Sequence, residues 1–150
     1  MKLRTKDSVF VILQFILFAL YLLGINFLPF KTSSLINLIA FIISIFGLLI
    51  VIISMLQLNK NLSPFPTPKL NSHLIKHGLY RYIRHPIYTG IMLLSFGFGI
   101  YTNSTHKLII SFLLIFLFYF KSKYEEERLL NKFSNYKEYM LTTGRFFPKI

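Results

Sequence analysis

The chain has 150 residues, of which 54% are apolar and only 15% are Asp, Glu, Lys or Arg. Soluble domains usually carry about 25% charged residues, so this composition excludes an ordinary soluble globular protein. The net charge of +12 does not form one basic patch, because the Lys and Arg residues are divided among the segments between apolar runs. The absence of cysteine excludes disulfides and thiolate chemistry.

Two long apolar runs, residues 9–28 and 35–58, occupy the first part of the chain. Each is long enough to cross a bilayer as a helix, for which about 20 residues are needed. Neither contains a charged residue or a histidine. We therefore predict an N-terminal transmembrane hairpin over residues 1–58 and a second region over residues 59–150.

The connection that follows, residues 59–76, contains Pro64, Pro66 and Pro68 in alternation. Proline removes a backbone donor and biases the preceding residue towards extended backbone. This spacing excludes a regular helix and predicts an extended segment.

Two shorter apolar runs, residues 87–101 and 108–120, come next and are separated by a small polar turn. Because each is short for a span, we predict a transmembrane hairpin over residues 87–120 whose inner ends continue as polar helix. Pro86 suits the first position of a helix, with His85 before it. The expected fold is all-α, a polytopic membrane helix bundle of two long spans, a short-helix hairpin and a cytoplasmic C-terminal helical extension.

That extension is expected to run through residues 121–133, where Glu125, Leu129 and Phe133 recur at four-residue spacing and share one face. Basic residues number 3, 1, 5, 1 and 7 in the successive segments outside the apolar runs. The positive-inside rule interprets this alternation as four spans with both termini in the cytoplasm. We predict a multi-pass integral membrane protein without a nucleic-acid partner.

Polar and aromatic residues are concentrated in residues 78–90, where a span would begin, and again in residues 121–139. Polar groups at the edge of the hydrocarbon region cost free energy unless they bind something. We predict that the polar clusters at residues 73–88 and 121–139 meet at the cytoplasmic mouth of the hairpin. The clusters contain cations, aromatic hydroxyls, an imidazole and carboxylates. These groups are suited to binding a zwitterionic or multiply charged small molecule with an aromatic part.

Several segments resemble the isoprenylcysteine carboxyl methyltransferases and the related phospholipid methyltransferases. The first are Gly78-Leu-Tyr80 and Arg84-His85-Pro86-Ile-Tyr88-Thr-Gly90. The tail adds Glu125-Glu126-x-x-Leu129-x-x-x-Phe133, Tyr136-Lys-Glu-Tyr139 and Arg145-Phe-Phe-Pro148. The resemblance covers roughly residues 60–150, with the motifs in the same order as in the family.

This resemblance implies an integral membrane methyltransferase that binds S-adenosylmethionine in its C-terminal half. The cofactor contacts carried over by position are Ser72, His73, Leu74, Ile75, Tyr80, His85, Pro86, Ile87, Tyr88 and Glu125. Arg84 and Lys121 are the candidate catalytic residues, because either can hold an anionic group. Lys121 occupies the position of a family arginine implicated with the acceptor, and lysine lacks the planar fork of arginine.

Three functions remain open from the sequence. The leading one is methylation of a small lipophilic acceptor, with a carboxylate as the methylated group and with entry sideways from the lipid. The second keeps the cofactor but methylates the amine of a phospholipid or another lipid headgroup. The third, a non-catalytic membrane protein or a transporter, is disfavoured because the four apolar runs contain no ionisable Asp, Glu, Lys, Arg or His. His73 and His77 lack a third ligand nearby, so no metal site is predicted.

Overall fold

The computed structural model of the chain describes residues 5–25, 27–28 and 30–149. Outside the described residues lie Lys2 and Arg4 of the N-terminal basic segment, Asn26 of the first apolar run and Pro29 of the first loop. The described part is all-helical, as predicted, and includes two short 3₁₀ helices, Asn59–Asn61 and Gly78–Arg81. The α-helices are α1 (Thr5–Leu22), α2 (Ser34–Leu58), α3 (Pro86–Tyr101), α4 (Thr105–Lys132) and α5 (Tyr136–Thr142).

Three helices, α1, α2 and α4, are long and apolar enough to cross a membrane, whereas α3 is a shorter apolar helix of 16 residues. At 1.5 Å per residue, α3 is about 24 Å long, less than the roughly 30 Å of a hydrocarbon core. The chain is therefore a membrane protein built from three long apolar helices and one short one.

The bounds of the helix predicted over the second apolar run are confirmed. Those of the helix predicted over the first apolar run are wrong. The Ser33 hydroxyl accepts a hydrogen bond from Ile36 N and caps α2 at the expected place. The first helix instead runs over Thr5–Leu22, ending six residues before the apolar run does. Hydropathy alone does not show where a helix ends. The backbone has left the helical conformation by Leu28, which has a left-handed φ of 53°.

The four apolar helices, α1 to α4, alternate in direction, so two ends of the bundle can be distinguished. At one end, the Thr105 hydroxyl donates to Leu28 O over 2.6 Å, and Thr32 N donates to Asn103 Oδ1 over 3.1 Å. The other end, called here the site end, contains the starts of α1 and α3, the end of α2 and the C-terminal half of α4. All of the predicted site residues lie at the site end.

α2 and α3 approach each other closely because glycines line their interface. A Cβ on Gly47 would lie 2.5 Å from Leu94 N, and one on Gly97 would lie 2.7 Å from Ala40 O. Small residues let transmembrane backbones come this near. Gly97 therefore serves the packing of α3 on α2. The other main contacts are those of α4 with α3 and with α1.

The C-terminal tail docks against the segment before α3. Ile83 and Gly144 form a parallel β-bridge, Arg84 N donates to Gly144 O over 2.8 Å, and His85 N donates to Arg145 O over 3.1 Å. His85 precedes α3 and Pro86 is its first residue, as predicted. Backbone pairing therefore fixes the position of His85 at the start of α3.

Candidate functional site

A cavity of about 430 Å³ opens at the site end, among α1, α2, α3, α4, α5 and the connection that crosses them. Every predicted site residue except Pro86 lines it. Pro86 is fully buried beside the cavity, at the start of α3. The predicted lining residues are Ser72, His73, Leu74, Ile75, Tyr80, Arg84, His85, Ile87, Tyr88, Lys121 and Glu125. The structure thus brings together residues separated by up to about fifty positions in the sequence.

The proline-rich connection, residues 61–75, forms one wall of the cavity and is called here the strap. As predicted, it contains no regular helix beyond the 3₁₀ turn that ends at Asn61. The Asn61 side chain exchanges two hydrogen bonds with the backbone of His73, over 3.1 and 3.3 Å, and closes the strap into a loop. The carboxylate of Asp7 in α1 accepts from Thr67 N and from its hydroxyl, over 3.0 and 2.8 Å.

The end of α4 holds the other part of the strap. Lys132 Nζ donates to Leu70 O over 2.9 Å and to Ser72 Oγ over 2.7 Å. Asp7 and Lys132 therefore fix the strap from two different helices. Asp7 is fully buried, and sequence reasoning did not assign it to the site.

Glu125, His85 and Tyr88 form a polar part of the cavity wall. The Tyr88 hydroxyl donates to Glu125 Oε2 over 2.7 Å, and His85 Nδ1 lies 3.7 Å from the same oxygen. The rings of His85 and Tyr88 stack with centroids 5.3 Å apart, and Tyr88 in turn stacks on Phe118 at 4.7 Å. The Glu125 side chain is 25% exposed, so this carboxylate can accept hydrogen bonds from a ligand in the cavity.

Glu126, the next residue of α4, points instead into a buried ion-pair cluster. Its carboxylate binds Arg84 Nε at 2.8 Å, Arg145 Nη2 at 2.5 Å and His85 Nε2 at 3.3 Å. Arg84 also donates to the carbonyl oxygens of Met140 and Thr143. The guanidinium that was predicted to hold an anionic ligand is thus already engaged by the protein, and this geometry favours a structural role for Arg84.

Lys121 is 1% exposed, and its ammonium meets neutral partners at the cavity wall. Lys121 Nζ donates to Gln14 Oε1 over 2.5 Å and to Pro64 O over 2.9 Å, and it lies 5.4 Å from the centroid of the Tyr88 ring. Sequence reasoning placed Lys121 in the site but missed Gln14. The only signal for Gln14 was a single amide in an otherwise apolar run.

Three buried tyrosines complete the outer part of the cavity. The Tyr139 hydroxyl donates to the carbonyl oxygen of Tyr80, and burial raises the pKa of Tyr139 to about 12. Burial also raises the pKa values of Tyr80 and Tyr136 well above the usual value for a phenol. All three hydroxyls therefore remain protonated at neutral pH. Among the described residues, Tyr136 Oη has no hydrogen-bond partner, which leaves it available as a donor beside the cavity.

One end of the cavity is apolar and is lined by side chains of α1, α2 and α3. Phe18 comes from α1, Val51 and Met55 from α2, and Ile91 from α3. α1 packs mainly on α4, whereas α2 packs mainly on α3. The apolar end of the cavity is consequently flanked by two helices that have different packing partners.

One known protein family matches most of the chain. The phospholipid methyltransferase family model matches residues 35–137. The matched segment begins in α2 and ends in α5, so it contains the strap, α3 and α4 but not α1. A search among curated proteins returned no match.

Proposed function

The chain belongs to the phospholipid methyltransferase family, and from that membership we propose that it is a membrane enzyme that transfers a methyl group from S-adenosylmethionine to a small lipophilic acceptor. One observation carries the proposal. All of the residues that the sequence resemblance assigns to the cofactor, except Pro86, line a single cavity of about 430 Å³. Sites for small molecules usually have volumes of about 300–1,000 Å³.

The groups around the cavity fit the chemical parts of S-adenosylmethionine. Glu125 offers a carboxylate to a ribose hydroxyl or to the amino group of the amino-acid end. Tyr80 offers an aromatic face to adenine or to a cationic centre, which aromatic rings attract, whereas Tyr88, stacked between His85 and Phe118, contributes by orienting the Glu125 carboxylate. The phenol of Tyr139 stays protonated, and its bond to the Tyr80 carbonyl keeps Tyr80 in place.

S-adenosylmethionine would supply an electrophilic methyl group on a sulfonium. In the transfer, an acceptor electron pair forms the new bond to the methyl carbon, and the carbon–sulfur bond breaks with its electrons remaining on sulfur. A carboxylate acceptor needs no general base for this step, and opposite charges disappear, which a dry site favours over water. The residues of the chain would contribute alignment and exclusion of water.

The acceptor has two candidate classes, and both place a lipid tail in the apolar end of the cavity. The first is a lipophilic carboxylate, the acceptor class of the isoprenylcysteine methyltransferases. The second is the amine of a phospholipid headgroup, in keeping with the description of the matching family. Phe18, Val51 and Met55 support a lipophilic molecule in either case, because their side chains offer no polar group to a soluble acceptor.

Binding of the product S-adenosylhomocysteine tests the cofactor assignment. We expect the purified protein in a neutral detergent to gain about 2.7 kcal/mol of stability at a ligand concentration 100 times Kd. Glu125→Gln should weaken the binding, because the amide removes the negative charge next to the ligand. Glu127→Gln is the matched control, since Glu127 is exposed on the same helix and outside the cavity. A wild-type protein whose melting temperature does not respond to the ligand would exclude the proposal.

A further inference from the structure

A buried lysine ammonium without a buried carboxylate partner is unusual, because desolvating a charge is costly unless it is paired. Lys121 is in this situation. Its two hydrogen-bond acceptors, Gln14 Oε1 and Pro64 O, are both neutral. Among the ion pairs of residues 5–25, 27–28 and 30–149, none includes Lys121.

Glu125, one turn further along α4, attracts the Lys121 ammonium electrostatically but forms no ion pair with it. Its Oε2 accepts from Tyr88 and faces His85 instead. An ammonium has three N–H donors, and protein acceptors account for two of those of Lys121. Because Lys121 also lines the cavity and no other described residue accepts a hydrogen bond from its ammonium, the third donor is available to a ligand.

Gln14 is the residue that makes this arrangement possible. It comes from α1, outside the matched residues 35–137, and it is 9% exposed in a helix with otherwise apolar neighbours. A glutamine binds the ammonium through a carbonyl oxygen and adds no charge, whereas a glutamate of the same size would neutralise it. Gln14 therefore holds the Lys121 ammonium in place and preserves its charge.

We propose that Gln14 is a specificity-determining positioning residue, which presents the charged Lys121 ammonium to an anionic oxygen of the lipophilic acceptor. The inference rests on the proposed function for the nature of the acceptor. The anionic oxygen belongs to a carboxylate or to a phosphate on a molecule whose alkyl chain lies beside Phe18, one helical turn from Gln14 in α1. Gln14 acts through Lys121 and not on the reacting atoms.

Binding of simple amphiphiles tests this proposal without requiring turnover. Dodecanoate, dodecyl phosphate and uncharged dodecanol are titrated at equal mole fractions into the protein in neutral detergent at pH 7, with and without S-adenosylhomocysteine. The wild type should bind at least one of the two anions roughly 10- to 100-fold more tightly than dodecanol, the range for a hydrogen bond to a charged group. Comparison of the carboxylate and phosphate arms shows which anion the subsite takes.

Gln14→Glu should abolish that preference while leaving the melting temperature equal or higher, because the new carboxylate pairs with Lys121. Affinity for S-adenosylhomocysteine should change less than threefold. Gln57→Glu is the matched control. Gln57 accepts from Leu79 N near the same end of the bundle, does not line the cavity, and keeps its acceptor oxygen as glutamate, so this variant should retain the preference for anions.

Three results would overturn the proposal. They are a wild type that binds the anions no better than dodecanol, a Gln14→Glu protein that keeps the preference, and a Gln14→Glu protein that loses affinity for S-adenosylhomocysteine instead. The last result would indicate that the Lys121 ammonium binds the carboxylate of the methyl donor and not the acceptor. Failure of the cofactor assignment itself is recognised separately, because the wild type would then not bind S-adenosylhomocysteine while the anion titrations could still be read.

Discussion

Glu125 and Glu126 are neighbours in α4, yet their surroundings give them different tasks. Glu125 is partly exposed to the cavity and is bonded to one neutral phenol. Glu126 is 2% exposed and joins Arg84, Arg145 and His85. The first can respond to a ligand, whereas the second connects α4, the segment before α3 and the C-terminal tail.

The Glu126 cluster leads to a prediction about stability. Glu126→Ala would leave the buried guanidinium of Arg84 and the partly exposed one of Arg145 without their carboxylate, and loss of one partner of a buried ion pair costs about 3–5 kcal/mol. The free energy of unfolding in detergent should fall by that amount. Glu127→Ala, on an exposed side chain of the same helix, should change it by about 0.5 kcal/mol or less. Equal effects of the two substitutions would show that the cluster contributes little to stability.

The residues of the site differ in how far the sequence could identify them. Tyr80, His85, Tyr88 and Glu125 belong to motifs with fixed spacing, so a resemblance found them. Gln14 lies 107 positions from Lys121, and no local pattern connects the two. Glu126 lies beside Glu125 in the same motif, and only the packing of α4 determines which carboxylate faces the cavity.

At the scale of the elements, hydropathy predicted the helices well where a capping residue or a proline coincided with the end of an apolar run. This holds for α2, which Ser33 caps, and for α3, which Pro86 starts. It fails for α1, whose apolar run continues beyond the helix into residues 23–28. The strap was predicted to be extended, but its anchoring by Asp7 depends on tertiary contacts that a local pattern does not contain.

The close approach of α2 and α3 predicts a strong effect of small substitutions. Gly47→Ala places a Cβ 2.5 Å from Leu94 N and 2.7 Å from Gly90 O, so the two helices must separate. Overpacking of this kind typically costs about 1–3 kcal/mol, which thermal or denaturant unfolding in detergent measures. Gly24→Ala is the control, because nothing lies within 4 Å of its added Cβ. A Gly47→Ala protein as stable as the wild type would contradict the tight packing of this interface.

For the whole molecule, the alternating helix directions place the strap, the motifs and the C-terminal tail at the same end of the bundle. Of the 15 basic residues that the structure describes, 13 lie in the segments at that end. Since basic loops remain in the cytoplasm, we predict that the site end and both termini are cytoplasmic, where S-adenosylmethionine would be available.

The lack of native cysteine makes this orientation directly measurable. In intact cells, an impermeant maleimide should label Lys31→Cys, which lies between α1 and α2. It should label Asn71→Cys, in the strap, only after the membrane is permeabilised. Both side chains are exposed, so access across the membrane and not burial decides the result. The reverse pattern would place the site end outside the cytoplasm.

The apolar end of the cavity connects the architecture of the bundle to the choice of acceptor. Because α1 and α2 pack on different helices, a lipid tail beside Phe18 and Val51 can lie between them while its headgroup remains near Lys121 and Glu125. Each buried methylene contributes about 0.8 kcal/mol, close to a fourfold gain in affinity.

We therefore expect kcat/KM for a series of acceptors with one headgroup to rise by about this factor per carbon until the tail fills the apolar end. The rate at saturating acceptor should change little, because uniform binding lowers KM without accelerating the chemical step. Phe18→Ala should reduce the gain for the longest acceptors and leave short ones unaffected. A water-soluble headgroup methylated as efficiently as its long-chain form would instead indicate an acceptor that enters from the aqueous side, past the strap.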